Sequence, residues 1–154
     1  MALKKIVLII VILLIAVPLY ACEGDGLFPD IECTPGDVFP ECSVEQMCVR
    51  GYSATVRSVS KSLKNEVYEL YGIPKEEQKN YVIDHLISLQ ICGTNEIANL
   101  FPQRREGVIN SRTKDKIENF LKREVCKGNM LLEDAQAVIA EDWLAVYEHM
   151  KELE

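Results

Sequence analysis

Asp84 and His85 are neighbours and form the only Asp-His pair in the chain, and Asn99, Asn110, Arg112 and Lys114 follow at short intervals. Those residue types suit one kind of chemistry. Cutting a phosphodiester with the help of a metal needs a base that is half-ionised near neutrality, hard oxygen ligands for a divalent cation, and a fixed cation that faces the phosphate. An imidazole supplies the first, the Asp84 carboxylate and the Asn110 amide the second, and Arg112 or Lys114 the third.

The local pattern says how they would be positioned. Tyr81, Val82 and Ile83 form a β-prone run before the pair, and Gly93, Thr94 and Asn95 give a turn signal that leads to a second extended piece around Leu100 and Phe101. The spacing predicts a hairpin. From Ser111 onward Ile117, Phe120, Leu121 and Val125 fall on one face of a helix. Neighbouring side chains in a strand face opposite sides, so Asp84 and His85 share one site only where the strand ends or twists. The amides that open the following helix favour an anion such as phosphate.

Asp84-His85, Asn99-Leu100 and Asn110 with Lys114 resemble the HNH nucleases, whose ββα-metal core carries such residues in this order. The longer text is more specific. GYSATVRSVSKSLKNEVYELYGI, YVIDHLISLQICGTNEIANLFPQ and KREVCKGNMLLEDAQAVIAEDW are similar to secreted bacterial HNH-like proteins, over a span from about Cys48 to about Trp143. The resemblance implies that His85 is the general base, that Asp84 is a metal ligand, and that Asn99 pins the loop between the strands through the backbone. It also implies that Asn110 is the second protein ligand or stands beside it, with Mg²⁺ as the cation. Two positions depart from the family. Arg112 stands where a His is often found, and a guanidinium has no lone pair for a metal, although it can grip a phosphate bidentately. Cys92 stands where Gly is usual.

Around this centre, the 154 residues have ordinary apolar and charged fractions and suggest one globular domain. Lys4 and Lys5 precede an apolar run from Ile6 to Leu19, which reads as a signal peptide over residues 1–21. Leu19-Tyr20-Ala21-Cys22 resembles a lipobox, so lipidation of Cys22, plain secretion and retention through the apolar segment all stay open. All three place the domain outside the cytoplasm. Six cysteines, Cys22, Cys33, Cys42, Cys48, Cys92 and Cys126, point to disulfides in such a compartment, and no CxxC pair suggests zinc. A Cys48–Cys126 bond would close a long loop around the core.

Residues 22–47, rich in Gly, Pro, Asp and Glu, read as a linker or arm, and residues 48–154 as the nuclease-like domain. Val56 to Val59 is a short extended candidate. Ser60 caps a helix through Tyr71, stopped by Gly72 and Pro74, and a last helix runs from about Leu132 to His149, with Trp143 on its core side.

The expected fold class is α+β, a ββα-metal core braced by further helices. The expected function is metal-dependent hydrolysis of nucleic acid with little sequence specificity, DNA before RNA. The rivals are an inactive relative that binds nucleic acid or a protein, and a disulfide-bonded envelope protein with no ligand. A formal charge of −7 opposes binding to a polyanion, but Arg104, Arg105, Arg112, Lys114, Lys116, Lys122, Arg123 and Lys127 concentrate positive charge near the candidate site. Affinity for nucleic acid should therefore be modest and steeply salt-dependent.

Overall fold

The computed structural model describes residues 21–152. The signal-peptide reading of residues 1–21 falls almost wholly outside them. No helix among the described residues is long and apolar enough to cross a membrane.

The fold is α+β: two short helices, a third helix, one antiparallel hairpin, and two long helices. Helices α1 (Val44–Met47) and α2 (Tyr52–Val56) come first. The latter occupies the stretch just before and into the expected extended segment, and the chain becomes extended only at Arg57. Helix α3 (Lys61–Leu70) starts where Ser60 accepts the Leu63 amide on its side chain. Strands β1 (Tyr81–His85) and β2 (Leu100–Arg104) then pair with Asp84 opposite Phe101 and His85 opposite Leu100. Helix α4 (Ser111–Cys126) follows, and α5 (Leu132–Glu152) packs on it. The last helix is really two. Asp142 leaves helical geometry, and its carboxylate accepts the Leu144 and Ala145 amides, starting the second half afresh.

Two apolar clusters hold these elements. Ile117, Leu121 and Val125 of α4 meet Ala135, Ile139 and Trp143 of α5, together with Met47 and Ile91. Val67, Tyr68 and Tyr71 meet Ile83, Leu86, Leu100 and Phe101 of the hairpin. Leu86 and Ile87, consecutive in the chain, enter different clusters, so the hairpin's outgoing loop is the seam between them. Trp143 is fully buried and donates its indole N–H to the Leu27 carbonyl, which fixes it as core and not as a stacking platform.

The arm is not a free linker. Cys22 donates its amide to Leu70, buried Thr34 bonds Tyr71 and the Leu100 carbonyl, and Val38 forms a bridge with Gly93. Asp37 accepts both the Thr94 amide, on its carbonyl, and the Thr94 hydroxyl, on its carboxylate. Low periodicity concealed this, because the arm is held by polar contacts and cysteines and not by an apolar stripe.

The disulfides are Cys22–Cys33, Cys42–Cys92 and Cys48–Cys126. All six cysteines are used, as suits an oxidising, extracytoplasmic compartment. The Cys22 sulfur, bonded to Cys33, has no valence left for a lipid thioether, so this pairing and the lipobox reading exclude each other. Cys92 lies in the left-handed region at φ 69°, a conformation suited to Gly.

Two stability results follow. Replacing Cys48 and Cys126 together with Ala, which opens a loop of 78 residues, should lower unfolding free energy in urea by about 4 kcal/mol; a change under about 1 kcal/mol would show that the bond constrains little. With Cys42 changed to Ala, Cys92→Gly should be more stable than Cys92→Ala by about 1 kcal/mol, because only Gly adopts the left-handed backbone without strain.

Candidate functional site

β1 ends at His85 because the chain turns there into a 14-residue loop (86–99) that is closed by one amide. Asn99 is fully buried. Its Oδ1 accepts the Ile87 amide at 2.8 Å, and its Nδ2 donates to the Ile87 and Thr94 carbonyls at 2.9 Å each. Its hydrogen bonds all go to backbone, so its role is to hold the loop. Gly93 passes over the Ile87 carbonyl and the Asn99 amide where a Cβ has no room.

His85 is 2% exposed, and its Nε2 lies 3.3 Å from Asn95 Oδ1. The Asn95 amide cannot be flipped, since its Nδ2 donates to the Val56 carbonyl at 2.8 Å while its Oδ1 also receives the Ser58 amide at 3.1 Å. An acceptor therefore faces Nε2, so the neutral ring carries its proton there and keeps the Nδ1 lone pair free. Among the described residues Nδ1 has no hydrogen-bond partner, and it is not one of the sealed, unpaired polar atoms, which are both on Gln103. Burial pushes the His85 pKa down to about 4, against the opposing pull of Asp84 and Asn95 and with Arg57 and Lys114 adding to the fall. At neutral pH the ring is an uncharged base.

Asp84 points the other way along the strand, as alternation requires, and meets α4. Its Oδ2 accepts from Lys114 Nζ at 3.2 Å, and its side chain is 19% exposed. Lys114 is fully buried and spends its other protons on the His85 carbonyl at 2.6 Å and Glu118 Oε1 at 2.7 Å, while Glu118 Oε2 takes the Ser88 hydroxyl. Burial alone would lower the Lys114 pKa, but Asp84 and Glu118 together outweigh it and the net direction is upward. The expected phosphate-binding role of Lys114 is therefore corrected. Its ammonium is enclosed and fully bonded, and no phosphate reaches it.

Asn110 is likewise occupied. Its Oδ1 accepts the Arg112 amide and its Nδ2 donates to the Gly107 carbonyl, making it the N-cap of α4. The second carboxylate of the site is one the sequence reading passed over, Asp115. Partial burial raises its pKa first and the charge of Asp84 second, against Lys114, Arg57 and Arg112. Asp84, Lys114 and Arg57 act on both His85 and Asp115, so these side chains share one electrostatic neighbourhood. The sequence signal for Asp115 is its place one residue after Lys114 in the first turns of α4.

Asp84 and Asp115 offer hard oxygen donors, which suit Mg²⁺, an ion that keeps several waters and needs only one or two carboxylates from the protein. Among the described residues the one cluster of three metal-competent groups is Cys22, Asp30 and Cys33, but those two sulfurs form a disulfide and are not thiolates. Neither Asp84 nor Asp115 belongs to a group of three such ligands among the described residues.

No protein-family model, curated protein or solved structure matches this chain.

Two measurements check the electrostatics. Lys114→Met leaves two carboxylates without their buried counter-charge and should cost about 3 kcal/mol or more in urea unfolding; a loss below about 1 kcal/mol would mean the pair is solvated. His85 binds its proton more weakly when folded than its ordinary value near 6.5. Its contribution to stability is thus complete above pH 6.5 and lost as pH falls towards 4, by about 3 kcal/mol in all. Asp115 and Glu118, both raised, act with the opposite sign. The His85 share is therefore read as the difference in pH dependence between wild type and His85→Gln; parallel curves would contradict it.

Proposed function

We propose that the protein is an extracytoplasmic nuclease of the HNH type, hydrolysing phosphodiester bonds of DNA, and less readily RNA, with little sequence preference. The observation that carries this reading is a neutral, buried imidazole held in one tautomer at the end of a hairpin, with the charge of Asp84 acting on it and a helix behind it that opens at the exposed Arg112. The order hairpin, polar loop, helix supports a ββα-metal core.

In this reading His85 Nδ1 takes a proton from water as the oxygen attacks phosphorus, and the bond to the leaving oxygen breaks. A divalent cation held by Asp84 with Asp115 would stabilise the charge on that leaving oxygen. Lys114 fixes Asp84, Asn99 keeps the loop behind the base closed, and Arg112 at the exposed start of α4 faces the phosphate. A low His85 pKa costs some basicity but leaves the base unprotonated in mildly acidic surroundings, so the acid limb of the rate profile should fall near pH 4.

A second reading, a relative that binds nucleic acid or a partner protein without cutting, is favoured by Asn110 being spent as a cap and by Arg112 at the position where the family often has His. A plasmid assay separates the two. With Mg²⁺ the purified protein should nick supercoiled DNA, EDTA should stop it, and His85→Ala should lower the rate at least about 100-fold. Wild-type protein that is folded, binds DNA and never nicks it under any divalent cation would establish the binder.

A further inference from the structure

Arg57 is the charged residue of this neighbourhood that neither the motif nor the mechanism above uses. It lies in the extended link between α2 and α3, is exposed, and makes no ion pair among the described residues. An unpaired surface arginine is ordinary, but its attachment is not. The residues on both sides of it, Val56 through its carbonyl and Ser58 through its amide, are bonded to the Asn95 side chain, and the same Asn95 oxygen receives the His85 Nε2 proton. One amide therefore sets the tautomer of the base and the backbone of the arginine together. The charge of the guanidinium also bears on both His85 and Asp115.

Such a connection has a chemical use. A fork of N–H donors that no protein carboxylate satisfies, on backbone tied to the same amide as the base, matches a phosphate diester, whose two non-bridging oxygens accept a bidentate pair. Resting on the nuclease reading, we propose that Arg57 binds a backbone phosphate of the nucleic-acid substrate beside His85, and that Asn95 is the positioning residue that couples this grip to the base. Arg57, on the link after α2, and Arg112, on α4, then hold the strand from two elements. Neither arginine reads a base, in keeping with low sequence preference.

The test measures binding and turnover separately. Affinity of the full-length protein for a short duplex is measured in EDTA across a salt series, and nicking kinetics are measured with Mg²⁺, for wild type, Arg57→Ala, Arg57→Lys, Asn95→Ala and the remote exposed control Lys75→Ala. Loss of one phosphate contact should reduce the slope of log affinity against log salt by about 0.9 in Arg57→Ala. KM should rise about tenfold or more with unchanged unfolding free energy. Arg57→Lys should restore the slope but only part of the KM, since a point charge replaces a fork. Asn95→Ala should raise KM and lower kcat together, whereas Lys75→Ala should leave the slope, KM and kcat as they are. An Arg57→Ala protein that keeps the wild-type slope and KM, while His85→Ala is inactive, overturns this assignment and leaves the nuclease reading standing. Absence of any nicking by folded wild type overturns the nuclease reading itself and this inference with it.

Discussion

A single ammonium group, that of Lys114, ties the hairpin to the helix behind it, and the arrangement of the site depends on that tie. Its three protons reach Asp84 on the strand, the carbonyl of His85 at the strand's last residue, and Glu118 one turn further along α4. Burying an ion is expensive, and the cost is offset here by satisfying every donor with a charged or backbone acceptor. The consequence is geometric. With the end of β1 bonded to the side of α4, Asp84 and Asp115 are kept close enough to feel each other, and the residue next to Asp84 is carried to a defined place.

That residue, His85, gains its character from enclosure. Its low pKa comes chiefly from burial, and the Asn95 bond chooses which nitrogen is free. The loop that encloses it is itself held three ways: by Asn99 from within, by the arm through Asp37 and Val38 from one side, and by the Cys42–Cys92 bond. A small protein with a two-stranded sheet has little core of its own around such a loop, and cross-links take over part of the work that further strands would do.

Much of this was legible in the sequence. Alternation and turn residues marked the hairpin, Ser60 marked the start of α3, and apolar spacing marked α4 and most of α5. Spacing does not give disulfide connectivity; the places of Cys48 and Cys126 at either end of the core only raise the pairing that the structure shows. What stayed hidden shares one cause, that the decisive contacts are polar and distant in sequence. Lys114 looks like a surface cation until its partners thirty positions upstream are known. Asn110 looks like a ligand until its oxygen is seen to bond the Arg112 amide two residues on. Asp115, Arg57 and Asn95 belong to no short motif, and the arm carries no periodicity to announce that it packs.

The chemistry proposed for the site depends on the state of one ring. A long-range proton–nitrogen correlation spectrum of ¹⁵N-histidine-labelled protein at pH 7 reports it directly, because protonated and lone-pair imidazole nitrogens resonate far apart. The account predicts a neutral His85 ring with its proton on Nε2 and a bare Nδ1. An imidazolium, or a ring protonated on Nδ1, would contradict it.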